Sequence, residues 1–169
     1  MKKVSLIILA VFAALSFNSC RGPVGPVGPE GNANVASSTL TIYSNDWRWD
    51  NGSWRVDVDY AAINANINNY GAVLVYMENG GTWRQIPMTF YYSQINDEGY
   101  EVFFSSSLEV STYQGGVSIF WTENDFYDGY RPDTHRFKIV AIAASLYNER
   151  QDVDYSNYEA VKTVFQLND

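Results

Sequence analysis

The chain of 169 residues carries one cysteine, so no intramolecular disulfide can staple it. It also carries one histidine, and a zinc centre built from clustered cysteine and histidine is excluded. That histidine, His135, lies in the polar stretch RPDTHRF, which reads as a loop entering a strand with a solvated imidazole. Nucleophilic catalysis therefore has little to draw on. Bases are scarce as well: 11 Lys and Arg stand against 19 Asp and Glu, for a net charge of −8. Nucleic acid needs a basic face, and anionic lipid needs basic side chains, so neither partner is expected to be held by charge. No glycine-rich loop leads from a strand into a helix to cradle phosphate. The apolar run from Val4 to Phe17 is shorter than the ~20 residues that cross a bilayer as a helix.

That run follows Lys2 and Lys3 and ends near the small Ser19, the layout of an export signal over residues 1–19. Cys20 is then the first mature residue. A cysteine in that place resembles the lipobox of bacterial lipoproteins, and the resemblance implies acylation of Cys20 and attachment to the membrane of the cell envelope. Each buried methylene of an acyl chain contributes about 0.8 kcal/mol, so several chains hold a protein without any spanning segment. Arg21, where an aspartate would signal retention, resembles the pattern sorted to the outer membrane. After the cysteine come Gly22-Pro23-Val24, Gly25-Pro26-Val27 and Gly28-Pro29-Glu30. Glycine at every third position is the collagen pattern, but so few units gain little against the entropy of ordering several chains. Residues 20–34 are read instead as a polyproline II stalk about 30 Å long.

Residues 35–169 read as one β-rich domain. In RVDVDY, Val56, Val58 and Tyr60 alternate with Arg55, Asp57 and Asp59, the signature of a half-buried strand. Further strands are expected at STLTIY (38–43), AVLVYM (72–77), QIPMTFYYS (85–93), YEVFFSS (100–106), GGVSIFWTE (115–123) and RFKIVAIAA (136–144). AVLVYM and FKIVAIAA are apolar on both faces, as central strands are. Short strands parted by NGG, NDEG and YQGG turns predict an antiparallel β-sandwich, immunoglobulin-like or jelly-roll-like. Asn51-Gly52 suits a type I′ hairpin turn, which sets Trp49 opposite Trp54 and Asp50 opposite Ser53, with Trp47 opposite Val56. Ser156-Asn157-Tyr158-Glu159 resembles a capping box, and Tyr158, Val161, Val164 and Phe165 follow at helical spacing. A short C-terminal helix is the expectation, with a final strand through VKTVFQL as its competitor.

Taken in order, Cys20-Arg21-Gly22-Pro23, AVLVY (72–76), Trp83-Arg84-Gln85-Ile86-Pro87, RFKIVAIAA (136–144) and DVDYSNYEAVKTVF (152–165) resemble collagen-like bacterial lipoproteins: lipobox, short Gly-Pro-X stalk, one β-rich domain. The resemblance implies no biochemical activity and no functional residue besides the lipidated Cys20.

Aromatic residues make up 16% of the chain, and alternation assigns many of them to the core, among them Tyr60, Phe90, Phe104, Phe120 or Trp121, and Phe137. Trp47, Trp49, Trp54 and Trp83 lie beside Asp, Asn, Gly and Arg, where exposed indole faces can stack on sugar rings or anchor a protein contact; the competing reading is cross-strand packing at a hairpin end. The loop ENDFYDGYRPD offers Asp125, Asp128 and Asp133 as weak ligands for calcium, though its spacing matches no EF-hand, and no cofactor is otherwise expected. Paired carboxylates arise by chance in so acidic a chain, and no enzyme is expected. The sequence thus predicts a non-enzymatic envelope lipoprotein presenting a β-sandwich for protein contacts or a structural role. Its alternative is a carbohydrate-binding module at the hairpin 47–54.

Overall fold

The computed structural model describes residues 34–126 and 129–167. Its nine strands are β1 (Val35–Ile42), β2 (Arg48–Asp50), β3 (Ser53–Asp59), β4 (Ala72–Asn79), β5 (Thr82–Ile86), β6 (Met88–Ile95), β7 (Glu101–Tyr113), β8 (Gly116–Glu123) and β9 (His135–Ile142). Three short helices join them: α1 (Ala65–Tyr70), α2 (Ala144–Glu149) and α3 (Tyr158–Phe165). The strands form two antiparallel sheets, one of four strands in the order β1-β9-β4-β5 and one of five in the order β2-β3-β8-β7-β6. The fold is an all-β sandwich with a short C-terminal helix. The signal, Cys20 and the stalk lie outside the described residues.

The two strands that read as apolar on both faces are indeed the central pair of the four-stranded sheet, β9 and β4. Alternation explains why both faces must be apolar. Val75, Met77, Phe137, Ile139 and Ala141 point into the sandwich, where they meet Trp54, Val56, Leu108, Ile119 and Trp121 of the other sheet. Leu74, Tyr76, Val140 and Ile142 point the opposite way and are covered by Tyr158, Val161 and Phe165 of α3. The helix is therefore a third layer on one sheet. The reading of 158–165 as a helix is right and its cap lies one residue later than expected: Asn157, not Ser156, accepts from the Glu159 and Ala160 amides at 3.0 and 3.4 Å. Ser156 instead donates its hydroxyl to Asp154 at 2.6 Å.

Two strand readings need correction. QIPMTFYYS is not one strand but the end of β5 and most of β6, which belong to different sheets. Pro87 between them has no N–H to offer a ladder, so pairing stops there and the chain crosses the sandwich; the Ile86–Pro87 peptide is cis. RFKIVAIAA ends as a strand at Ile142, and Ala144 opens α2. Neither α1 nor α2 is long enough to display a helical period, which is why only α3 was readable as helix. Among the described residues no helix is long and apolar enough to cross a membrane.

Candidate functional site

The hairpin turn forms as its sequence predicts. Asn51 and Gly52 take φ of 48° and 89°, both positive as a type I′ turn requires, and Trp49 pairs with Trp54 and Asp50 with Ser53. Of the two readings of these indoles, an exposed row does not form and cross-strand packing does. Trp47 precedes β2 and is 1% exposed, edge-on to Trp121 at 6.2 Å and to Phe137 at 6.3 Å. Trp54 is buried too, T-shaped against the half-buried Trp49 at 5.4 Å, with the Arg131 guanidinium 5.0 Å from its ring. The reason is geometric: side chains two apart share a face, and the face of β2 and β3 that carries these indoles is the one turned into the sandwich.

Trp83 lies on the other side of the molecule, half-buried on β5 under α3. Its ring is engaged by the Lys138 ammonium at 4.7 Å, the Arg136 guanidinium at 5.5 Å and the edge of Tyr158 at 6.0 Å. Lys138 is buried, donates to Tyr158 Oη at 2.7 Å and lies 4.2 Å from that ring's centre. A desolvated cation over aromatic faces gains about 2 kcal/mol, enough to offset part of its burial. Beside it, burial pushes the Tyr76 phenol above its ordinary range while its hydroxyl donates to the Tyr155 carbonyl at 2.7 Å. Trp83 thus helps fasten helix to sheet.

Where β8 ends, the acidic loop begins with a buried carboxylate. Glu123 accepts from Ser106 Oγ at 2.8 Å, Trp121 Nε1 at 2.7 Å and Tyr92 Oη at 2.8 Å. Burial, then the bond to Glu123, pushes the Tyr92 phenol up to about 12. Three donors leave that carboxylate committed to structure. Two hollows of about 300 and 380 Å³ flank this end and share Tyr130; Asp125 lines one and Asp133 the other. The calcium candidates are therefore not brought together. Asp128 lies outside the described residues, and among those described no group of three or more His, Cys, Asp or Glu side chains could hold a metal ion. His135 also departs from its expected place in solvent: it is half-buried, stacked on Trp121 at 5.1 Å, and burial holds its pKa below the usual imidazole value.

Four of the eight large apolar side chains that face solvent among the described residues lie elsewhere, on the β6–β7 hairpin. Tyr91 is 82% exposed, Ile95 69%, Tyr100 68% and Phe103 71%. Register explains the grouping. Tyr91 pairs with Ser105, Ser93 with Phe103 and Ile95 with Glu101, so these side chains stand on the outer face of the five-stranded sheet. Phe90, Tyr92 and Phe104 alternate onto the inner face, where Phe90 meets Trp121 at 5.1 Å and Tyr92 stacks on Phe104 at 5.4 Å. The turn at 96–100 is tied by Asn96, whose side chain accepts from the Glu98 and Tyr100 amides at 3.1 and 2.8 Å.

No family model matches this chain, and neither curated proteins nor solved structures include a match. The site must therefore be judged on its own geometry. Over β2, β3 and β8 the same outer face is polar: Asp57 accepts from Ser118 at 2.6 Å and pairs with Arg55 at 2.8 Å, and the Ser118 bond, then Arg55, hold its pKa below the usual carboxylate range. Only the β6–β7 part is apolar and bare. Sequence reasoning passed over Tyr91, Ile95 and Phe103 because it looked for contact residues among the tryptophans alone. The available signal was that MTFYYSQI carries an aromatic at successive positions, which a strand must split between its two faces.

Proposed function

We propose that this protein is a non-enzymatic lipoprotein of the cell envelope, held at the membrane through Cys20, whose sandwich makes protein contacts through the outer face of β6–β7. One observation carries the contact surface: Tyr91, Ile95, Tyr100 and Phe103 lie together and exposed on one hairpin. Contiguous apolar surface of this kind, rimmed by polar groups, marks contact sites, and tyrosine and phenylalanine supply large area at small entropic cost. Asp97, Glu98 and Glu101 form the polar rim at the hairpin tip. The sugar-stacking alternative rested on Trp47, Trp49 and Trp54, and two of those three rings are buried.

The test places a photo-crosslinking amino acid at Phe103 in the full chain, irradiated in its native envelope, with Glu109 on the same strand as the control position. Protein adducts at 103 and not at 109 are the expected outcome. Equal labelling at both positions, or none at 103, overturns the contact reading.

A further inference from the structure

Among the described residues β6 is an unpaired sheet edge that adjoins the apolar patch, and the four sheet edges differ. β2 is three residues long and charged at both ends by Arg48 and Asp50. β5 carries Arg84, and its outer side is bridged by Asn157 ahead of α3. β1 is partly covered along most of its length. β6 runs eight residues, MTFYYSQI, without a charge or an internal proline, and its last three residues are all exposed. Natural sheets block such edges with charge, proline or a covering segment because the unpaired N–H and C=O groups template another strand.

Resting on the contact reading above, we infer that the partner of this surface is a second copy of the same chain, joined by antiparallel pairing of β6 with β6 across a two-fold axis. Three observations single out a second copy. The chain is acidic overall, yet Met88–Ile95 is uncharged, so it is where two such molecules meet without like charges along the seam. A two-fold axis at Ser93 makes the strand complementary to itself: Tyr91 of each copy faces Ile95 of the other, and the small serines leave room for the Phe103 rings that stand beside them. At the exposures given above, these side chains offer roughly 500 Å² per copy and roughly 1,000 Å² together before any backbone is counted, the lower bound of a specific interface. A reversible dimer is the consequence. Glu101, whose carboxylate accepts from Ser93 Oγ at 2.7 Å, is the one charged group beside the axis and weakens the pairing.

The full chain in detergent provides the test. Ser93→Cys under mild oxidation gives a disulfide-linked dimer, since directly opposed residues of antiparallel strands lie within disulfide reach. Thr89→Cys, on the same face but about 27 Å from its mate across this axis, does not, and the unmutated chain controls for Cys20. In sedimentation Tyr91→Lys raises the dissociation constant at least about 100-fold and Glu101→Gln lowers it several-fold. A chain that stays monomeric at about 100 µM, or cysteines at 89 and 93 that cross-link equally, overturns the inference. The photo-crosslink at Phe103 separates the two proposals: an adduct of twice the chain mass supports both, an adduct only with a different protein overturns the dimer and leaves the contact reading, and no adduct overturns both.

Discussion

The two sheets of this sandwich bury their surfaces unequally. The four-stranded sheet is covered twice, by the other sheet on one face and by α3 on the other, so β4 and β9 hold apolar side chains at most positions. The five-stranded sheet is covered once, and its outer face meets solvent with a polar network over β2, β3 and β8 and bare aromatics over β6 and β7. Each sheet also buries one side chain of a charged type, Lys138 among aromatic rings and Glu123 among three donors. The lesson is that aromatic side chains do two jobs here. Under α3 they hold the fold together, and on the hairpin they contribute little to folding and are free for contact.

The comparison breaks if the two kinds of aromatic turn out to matter equally for stability. Phe165→Ala, which empties the layer between α3 and the sheet, is expected to cost about 3–5 kcal/mol. Phe103→Ala, on the bare face, should stay within about 0.5 kcal/mol. Urea midpoints of the two variants decide the matter, and similar losses would mean that the hairpin face is not a free surface.

A smaller effect separates the buried charges. Glu123→Gln replaces an acceptor with an amide that cannot satisfy Ser106, Trp121 and Tyr92 together, and about 1–3 kcal/mol should be lost. Lys138→Met keeps the chain length and removes both the cation–π gain and the burial penalty, so a net change within about 1 kcal/mol is expected from the same denaturation series. The reverse order would place the anchoring charge under the helix.

The smallest effect is that of pH at the seam between the sheets. His135 has a folded pKa below the 6.5 of the free side chain, by burial against Trp121 and only partly restored by Asp133. Above 6.5 both folded and unfolded chains hold it neutral; as pH falls below 6.5 the unfolded chain takes up the proton first, so stability declines until the folded pKa is passed. Thermal midpoints between pH 7 and 5 should show a decline that shrinks in His135→Phe. An unchanged slope in that variant would assign the dependence to other groups.

Much of the fold was legible because local chemistry dictates it. Asn51-Gly52 specifies its turn through positive φ, alternation in RVDVDY specifies β3, and the spacing of Tyr158, Val161 and Phe165 specifies α3. Pro87 marked a break that was read through, because the flanking residues are β-prone on both sides. The contact face was not legible: alternation shows which side chains share a face, but whether the outward face is left bare or covered depends on elements that are distant in sequence. The tryptophans were open to two readings for the same reason, since polar neighbours in sequence need not be neighbours in space.

The sequence alone determined the β class, the central strands β4 and β9, the hairpin register and the terminal helix, since each depends on residues within a few positions of one another. Tertiary structure alone decided that the indoles at 47 and 54 turn inward, that Lys138 lies under α3, and that β6 is an edge. These depend on which strands become neighbours across the sandwich, and burial there is set by residues tens of positions away.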